Sequence, residues 1–251
     1  MSKRHPIELN RAVPGGRVEI FAVRDEEYPD GWFYRFQYYH PETGELLRYD
    51  DAHDDDDLGW HHRHVRFGDG TAIEFHSLAA HMTRFLNELR RWQTRRPPMT
   101  EPNHDGWPDK YSDPRDRPHP DVLRITVESF DDAFEDTLTA VNAIADGDPQ
   151  PAVVSFATVG ELRTILTNRR IELLQTLMDT EGAAKSISAL AKALNRDYKP
   201  VHDDVTRLAD YGIVFIVEDD ERSKRPYLPY ERIRLDVELT ANNPGEEPAT
   251  A

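Results

Sequence analysis

The chain has 251 residues, a formal net charge of −16 and no cysteine, which excludes disulfides, thiolate chemistry and cysteine-based zinc sites. No run of about 18 apolar residues occurs, and the opening MSKRHPIELN lacks the apolar core of a signal peptide, so a cytoplasmic protein without membrane spans is expected. Forty-seven acids face 31 bases, with 27 aspartates and only six lysines, a composition suited to salt-loaded cytoplasm in which most acidic runs are solvated surface.

The length allows one large domain or two small ones, and contrasts along the chain favour two. Residues 1–100 hold 17 acids, 14 bases and eight of the 11 histidines, whereas residues 101–251 hold 30 acids and 17 bases. In chain order, GRVEIFAVR alternates Val18, Ile20 and Ala22 as a half-buried strand does. WFYRFQYYH puts Trp32, Tyr34, Phe36 and Tyr38 on one face, PETG at 41–44 turns, and ELLRYDD returns, which predicts a hairpin over 32–50. RHVRFG at 63–68 is a further strand. Ser77 caps a helix that carries Leu78, Met82, Phe85, Leu86, Leu89 and Trp92 at helical spacing. The expected class is α+β in two domains, beginning with a small antiparallel sheet under one covering helix at 1–97.

Residues 98–120, rich in Pro, Asp and Arg, have the composition of a linker. A domain over 121–240 follows, and the tail 241–251 is expected to be disordered. VLRITVES is a strand and FDDAFEDTLTAVNAIA a helix, with a break at DGDPQP. Helix returns at 158–179, interrupted near LTNRR. Ser186 or Ser188 opens another helix, NRD turns the chain, and Pro200 sits in the first turn of a helix that stops at Gly212. Two strands around a charged loop complete a winged helix-turn-helix over about 158–240.

In that unit Ile187, Leu190, Ala191 and Leu194 face Val201, Val205 and Leu208 as scaffold. Tyr198, Lys199 and His202 are left outward at the start of the second helix, so Lys199 and His202 are candidates for base edges. Arg196 and Arg207 are candidates for phosphates, with Arg222, Lys224 and Arg225 at the wing tip. A purely protein-binding winged helix stays open, because Asp197, Asp203, Asp204 and Asp210 share the helix.

HDDDDLGWHHRH at 53–64 carries the other chemistry. Its histidines fit metal ligation, acid–base work or a wet loop, and the four aspartates read as solvated loop. His61 and His62 diverge on a strand while His62 and His64 share a face. No spacing here marks a structural zinc site, so no metal and no cofactor are assigned. A cleft of Arg35, Arg48, Tyr49, Asp50, His62 and His64 offers cations for phosphate and a titratable base, as RNA cleavage through the 2′-hydroxyl requires. Tyr34, Phe36, Tyr38 and Tyr39 fit either base stacking or sheet core.

YRFQYYHPETGELLRYDDAHDDDDLGWHHRHVRFG with its following helix, about residues 17–95, resembles the TumE-like toxins of type II toxin–antitoxin systems. The marks are the aromatic hairpin, Arg48-Tyr49-Asp50-Asp51-Ala52 with His53, and His61-His62-Arg63-His64. About residues 121–240 resemble the TumA-like winged-helix antitoxins, through VSFATVGELRTILTNRRIELLQTL, LAKALNRDYKPVHDDVTRLADYGIV and YERIRLDVEL. The resemblance implies a toxin fused to its own antitoxin. The candidate catalytic set is Arg35, Arg48, Asp50, His53, His62 and His64, and the expected activity is that of a metal-independent ribonuclease. DNA, an RNA target, an intramolecular toxin–antitoxin contact and a homodimer are the implied partners. A plain transcriptional regulator and a metal-dependent hydrolase are the rivals.

Overall fold

Alternation sets the second to fourth strands, and register then decides which side chains meet. In the computed structural model the described residues are 5–13, 16–39, 46–54, 56–65, 70–93, 107–145, 148–180, 182–218 and 224–238. The PETG turn, residues 66–69, Arg222 at the wing tip and the C-terminal tail lie outside them. Strand β1 (Ile7–Val13) pairs antiparallel with β2 (Gly16–Arg24), β2 with β3 (Trp32–Tyr39), and β3 with β4 (Leu46–Asp50). Strands β5 (His62–Val65) and β6 (Thr71–Ala72) extend the meander to its edge. Helix α1 (Leu78–Gln93) begins at Ser77, whose hydroxyl accepts the Ala80 N–H at 3.2 Å.

The sheet does not end at β1. After a short helix α2 (Asp109–Ser112), strand β7 (Val122–Val127), helix α3 (Phe130–Ala145) and strand β8 (Ala152–Phe156) follow. Strand β8 lies between β7 and β1, parallel to both, with Asn10 and Ile125 as the partners of Val154. Helices α4 (Val159–Ile165), α5 (Asn168–Asp179), α6 (Ile187–Ala193) and α7 (Tyr198–Ala209) come next. The ribbon β9 (Phe215–Glu218)–β10 (Lys224–Tyr227) and strand β11 (Arg232–Asp236), parallel to β7, complete the described chain. The main sheet is therefore mixed and nine-stranded, in the order β11-β7-β8-β1-β2-β3-β4-β5-β6. This corrects the expected small antiparallel sheet. The physical reason is that β1 presents an edge of unpaired backbone groups, and β8 satisfies it.

Two large cores occupy opposite faces, and a smaller cluster of Phe21, Val23, Phe33 and Tyr111 accompanies them. Leu9, Ile20, Tyr34, Phe36, Leu47 and Tyr49 pack with Met82, Phe85 and Leu89 of α1, joined by Ile144 of α3 and Val153. Leu123, Ile125, Val154 and Phe156 form the floor under α4–α7, with Leu173, Leu190, Val201, Val205 and Leu208 above them. Val153 and Val154 are consecutive on one strand and serve different cores, as a period of two requires. The second half of the Pro/Asp-rich segment, expected as linker, is folded. Tyr111 is buried and stacks on Phe33 with ring centroids 4.6 Å apart, and its hydroxyl donates to Asp25.

Candidate functional site

On β2–β5 the face away from α1 carries an apolar cluster, Phe21, Val23 and Phe33 packed with Tyr111, and beside it a row of polar side chains. Register places Glu19 opposite Gln37, Gln37 opposite Arg48, Arg35 opposite Asp50, Arg48 opposite His64 and Asp50 opposite His62. A row of acid, amide, guanidinium and imidazole groups thus crosses the sheet. Five of the six candidate catalytic residues, Arg35, Arg48, Asp50, His62 and His64, lie in this row. His53 sits beside it, exposed, with its ring 4.9 Å from that of His62.

Asp50 is the hub and is buried. Arg48 Nε lies 2.6 Å from its Oδ2, His62 Nε2 3.6 Å from Oδ1, and His64 Nε2 3.7 Å from Oδ2. Gly59, at φ +73°, turns the loop so that its carbonyl accepts from His62 Nδ1 at 2.9 Å. Burial lowers the pKa of His64 despite the opposing pull of Asp50, so the ring is held toward its neutral form. Arg35 is buried too, donates to Gln37 Oε1 at 2.5 Å, and has its guanidinium pKa lowered by desolvation. Neighbouring Asp51 is fully buried as well. Burial pushes its carboxyl up to about 8, even though it accepts the Tyr34 N–H at 2.9 Å.

Tyr49 is not in this row. It follows Arg48 and precedes Asp50, so it points into the α1 core, where its hydroxyl donates to Glu88 at 2.5 Å. Tyr34, Phe36 and Tyr38 are also core, which removes them as base-stacking platforms. Tyr39 is half-buried.

Sequence reasoning missed the cover. Trp107 lies over Arg35 at 5.1 Å, and Arg117 lies over the same indole at 3.5 Å. Between this cover, β1–β2 and the end of α7 is a cavity of about 210 Å³ lined by Glu8, Asn10, Glu19, Arg35, Trp107 and Arg117 among others. Tyr230 donates to Glu8 Oε1 at 3.2 Å, and Arg17 covers the Tyr211 ring at 4.3 Å. The two aromatic residues in WPDKY were the available signal, set in a composition that otherwise reads as linker.

On α7, Lys199 and Arg207 are exposed, and Tyr198, 51% exposed, has its ring 5.7 Å from that of His202. Arg196 is engaged instead. It donates to Asp204 Oδ2 at 2.5 Å, and Arg170 holds the other oxygen at 2.8 Å. Lys224 is exposed near Glu218 at 4.0 Å, and Arg225 is half-buried. The C-terminal end of α7 meets the sheet, since a Cβ at Gly212 would lie 2.6 Å from Asn10 Nδ2. A 12-residue helix is about 18 Å long, so Tyr198 and Lys199 lie at the far end.

Comparison with known families divides the chain at this architecture. Residues 7–93 match the family model for toxin TumE. That span contains the whole polar row, so the row belongs to a TumE toxin-family domain. Residues 165–235 match the HVO_A0114 family, covering α5–α7, the β9–β10 ribbon and most of β11. No curated protein and no solved structure matches the chain. No helix among the described residues is long and apolar enough to cross a membrane.

Proposed function

We propose that this chain is a toxin–antitoxin fusion in which an RNA-directed TumE segment is held by an antitoxin-like C-terminal part that binds DNA. One observation carries the reading. The strand that completes the toxin sheet and the segment that covers Arg35 both come from beyond residue 97, so the C-terminal part is built into the TumE segment. Tethering sets an effective concentration of about millimolar, which keeps such an inhibitor in place. The more acidic C-terminal part complements the arginine-bearing row. In the row, Arg48 is the cation for a phosphodiester, and the imidazoles at 53, 62 and 64 handle protons at the ribose.

Expression of residues 1–97 is expected to arrest growth, expression of the full chain is not, and His62→Ala should relieve the arrest. The full-length Trp107→Ala variant, which uncovers Arg35, should slow growth. Normal growth in both cases would favour a plain regulator with a non-catalytic N-terminal part.

For the DNA half, α5–α7 followed by the β9–β10 ribbon are read as a winged helix-turn-helix, the geometry that sends the first turn of α7 into a major groove. Tyr198, Lys199 and His202 are the candidate readers. Arg207 is the phosphate candidate that remains exposed, because Arg196 is tied to Asp204. A base contact is worth about 1–3 kcal/mol, so Lys199→Ala with His202→Ala should weaken operator binding at least tenfold in a shift assay. Unchanged affinity would mean that this helix contacts protein.

A further inference from the structure

We propose that Asp50, His62 and His64 form a binding site for a divalent first-row transition ion, with zinc as the best-fitting probe. This inference rests on reading the same pocket as the working site of the TumE segment, and it makes His62 and His64 ligands of a cofactor in place of the proton role given to them above. One carboxylate oxygen and one nitrogen from each imidazole lie within 4.8 Å of one another. The two nitrogens stand 3.6 and 3.7 Å from the carboxylate, too far for hydrogen bonds. That gap has a size. Ligands about 2.0–2.1 Å from a tetrahedral ion are about 3.4 Å apart, so an ion fits with a shift of a few tenths of an ångström.

The surroundings have the form of a metal site. His62 gives its Nδ1 proton to the Gly59 carbonyl, which fixes the tautomer with the Nε2 lone pair facing Asp50. Nε2 of His64 is buried and makes no hydrogen bond, an orphan that an ion would satisfy. Arg48 holds Asp50 from the side as a charged outer partner. Two imidazoles and one carboxylate make the three-ligand set of an open catalytic site, with positions left for water or substrate. His64 is 23% exposed, which gives a path in, and the exposed Asp54, Asp56 and Asp57 lie on the loop that joins Asp50 to His62. With the ion bound, its charge and that of Arg48 outweigh the single carboxylate, so the pocket favours a polyanion such as a phosphodiester. His53 remains as the exposed titratable group beside the ion.

The test uses the full chain, stripped with chelator and titrated with Zn²⁺ and Mn²⁺ by calorimetry. One equivalent should bind, and His64→Gln, at a partly exposed position, should lower affinity by a hundredfold or more with circular dichroism unchanged. His76→Ala, remote on the exposed Glu74 pair, should leave binding intact. Co²⁺ loading should give a visible absorption band that Asp50→Asn removes. Absence of saturable uptake by the folded chain, or uptake undiminished in folded His64→Gln, would overturn the ion site. Growth arrest in the full-length Trp107→Ala background separates the two readings. Arrest that survives His64→Gln while that variant loses metal leaves the ion site standing and takes toxicity away from this pocket. Arrest lost in His64→Gln, with no metal bound by the parent chain, keeps the toxin and removes the ion.

Discussion

Val154→Pro is expected to lower the melting temperature of the TumE segment as well as that of the helices α4–α7. Val154 lies mid-strand in β8, which is bonded on both sides, to Ile125 and to Asn10, and its side chain is 2% exposed. Proline there removes a ladder donor, leaves the partner carbonyl unpaired at a cost of about 1–3 kcal/mol, and forces its ring against a neighbouring strand. A total near 3 kcal/mol corresponds to about 6–12 °C for a chain of this size. The four tryptophans, at 32, 60, 92 and 107, all precede β7, so tryptophan fluorescence reports on the first half although the substitution is in the second. If the halves were independent, the fluorescence transition would stay in place while a second transition, seen by circular dichroism, moved down. That outcome would remove the shared sheet, and with it the support for a built-in inhibitor.

The shared sheet was the part of the fold least visible in the sequence. Strands β2 and β3 announce themselves by alternation, α1 by its apolar stripe and Ser77, and α6–α7 by Ser186, Pro200 and the positive φ of Gly212. These signals are local. In contrast, β1 carries buried Arg11 beside its apolar residues, paired with Glu128, which breaks the pattern of a half-buried strand. AVVSF in β8 is buried at all five positions and so has no alternation to find. Their pairing joins residues about 144 apart in sequence, for example Leu9 and Val153, and no window of sequence encodes it. Residues 107–117 failed for a different reason: their Pro and Asp content outweighs the two aromatics that anchor them.

The site was legible to the extent that strand alternation governs it. That rule set His62 and His64 on one face and turned His61 to the other, where it stacks on Phe75 at 4.7 Å. The same rule separates Tyr49 from Asp50, so placing both in one cleft contradicted the pattern. What alternation could not supply was the β4–β5 register across the loop 51–61, and the register is what brings Asp50 to both imidazoles. The sequence argument against a metal counted histidine spacings alone and lacked that carboxylate. On α7, the exposed positions follow from helical period, but the Arg170–Asp204–Arg196 cluster that withdraws Arg196 is a tertiary contact.

The second large effect concerns acid. His81 on α1 is 2% exposed, and its Nε2 is 2.9 Å from the Tyr34 hydroxyl, whose other neighbour is His61 Nδ1 at 3.0 Å. His61 in turn meets Asp30 through Nε2 at 3.1 Å. With His61 neutral, protons run in one direction, from His81 to Tyr34 to His61, and the His61 Nε2–H reaches Asp30. Protonating His61 reverses the Tyr34 hydroxyl, which then donates to His81. Protonating His81 as well would set the tyrosine oxygen between two donors and leave its own proton without an acceptor. Burial, chiefly, and then the charges of His61, Arg84 and His76 push His81 down to about 3. The other groups facing His81 are the rings of Phe36, Tyr49 and Phe75, and none offers a compensating negative charge.

The unfolded chain therefore binds a proton at His81 below about pH 6.5 that the folded chain refuses until about pH 3. Stability from this group is complete above pH 6.5 and is lost as pH falls through that window. At about 1.4 kcal/mol per unit, the loss reaches roughly 2–3 kcal/mol by pH 4.5. Asp51, with its carboxyl raised to about 8, has the opposite slope, favouring the fold at acid pH, so it does not account for an acid loss. His81→Gln, whose amide can still donate to Tyr34, should flatten the decline in urea midpoint between pH 7 and pH 4.5 while costing stability at pH 7. A variant that declines as steeply as the parent would show that His81 takes up its proton without opening the α1 core.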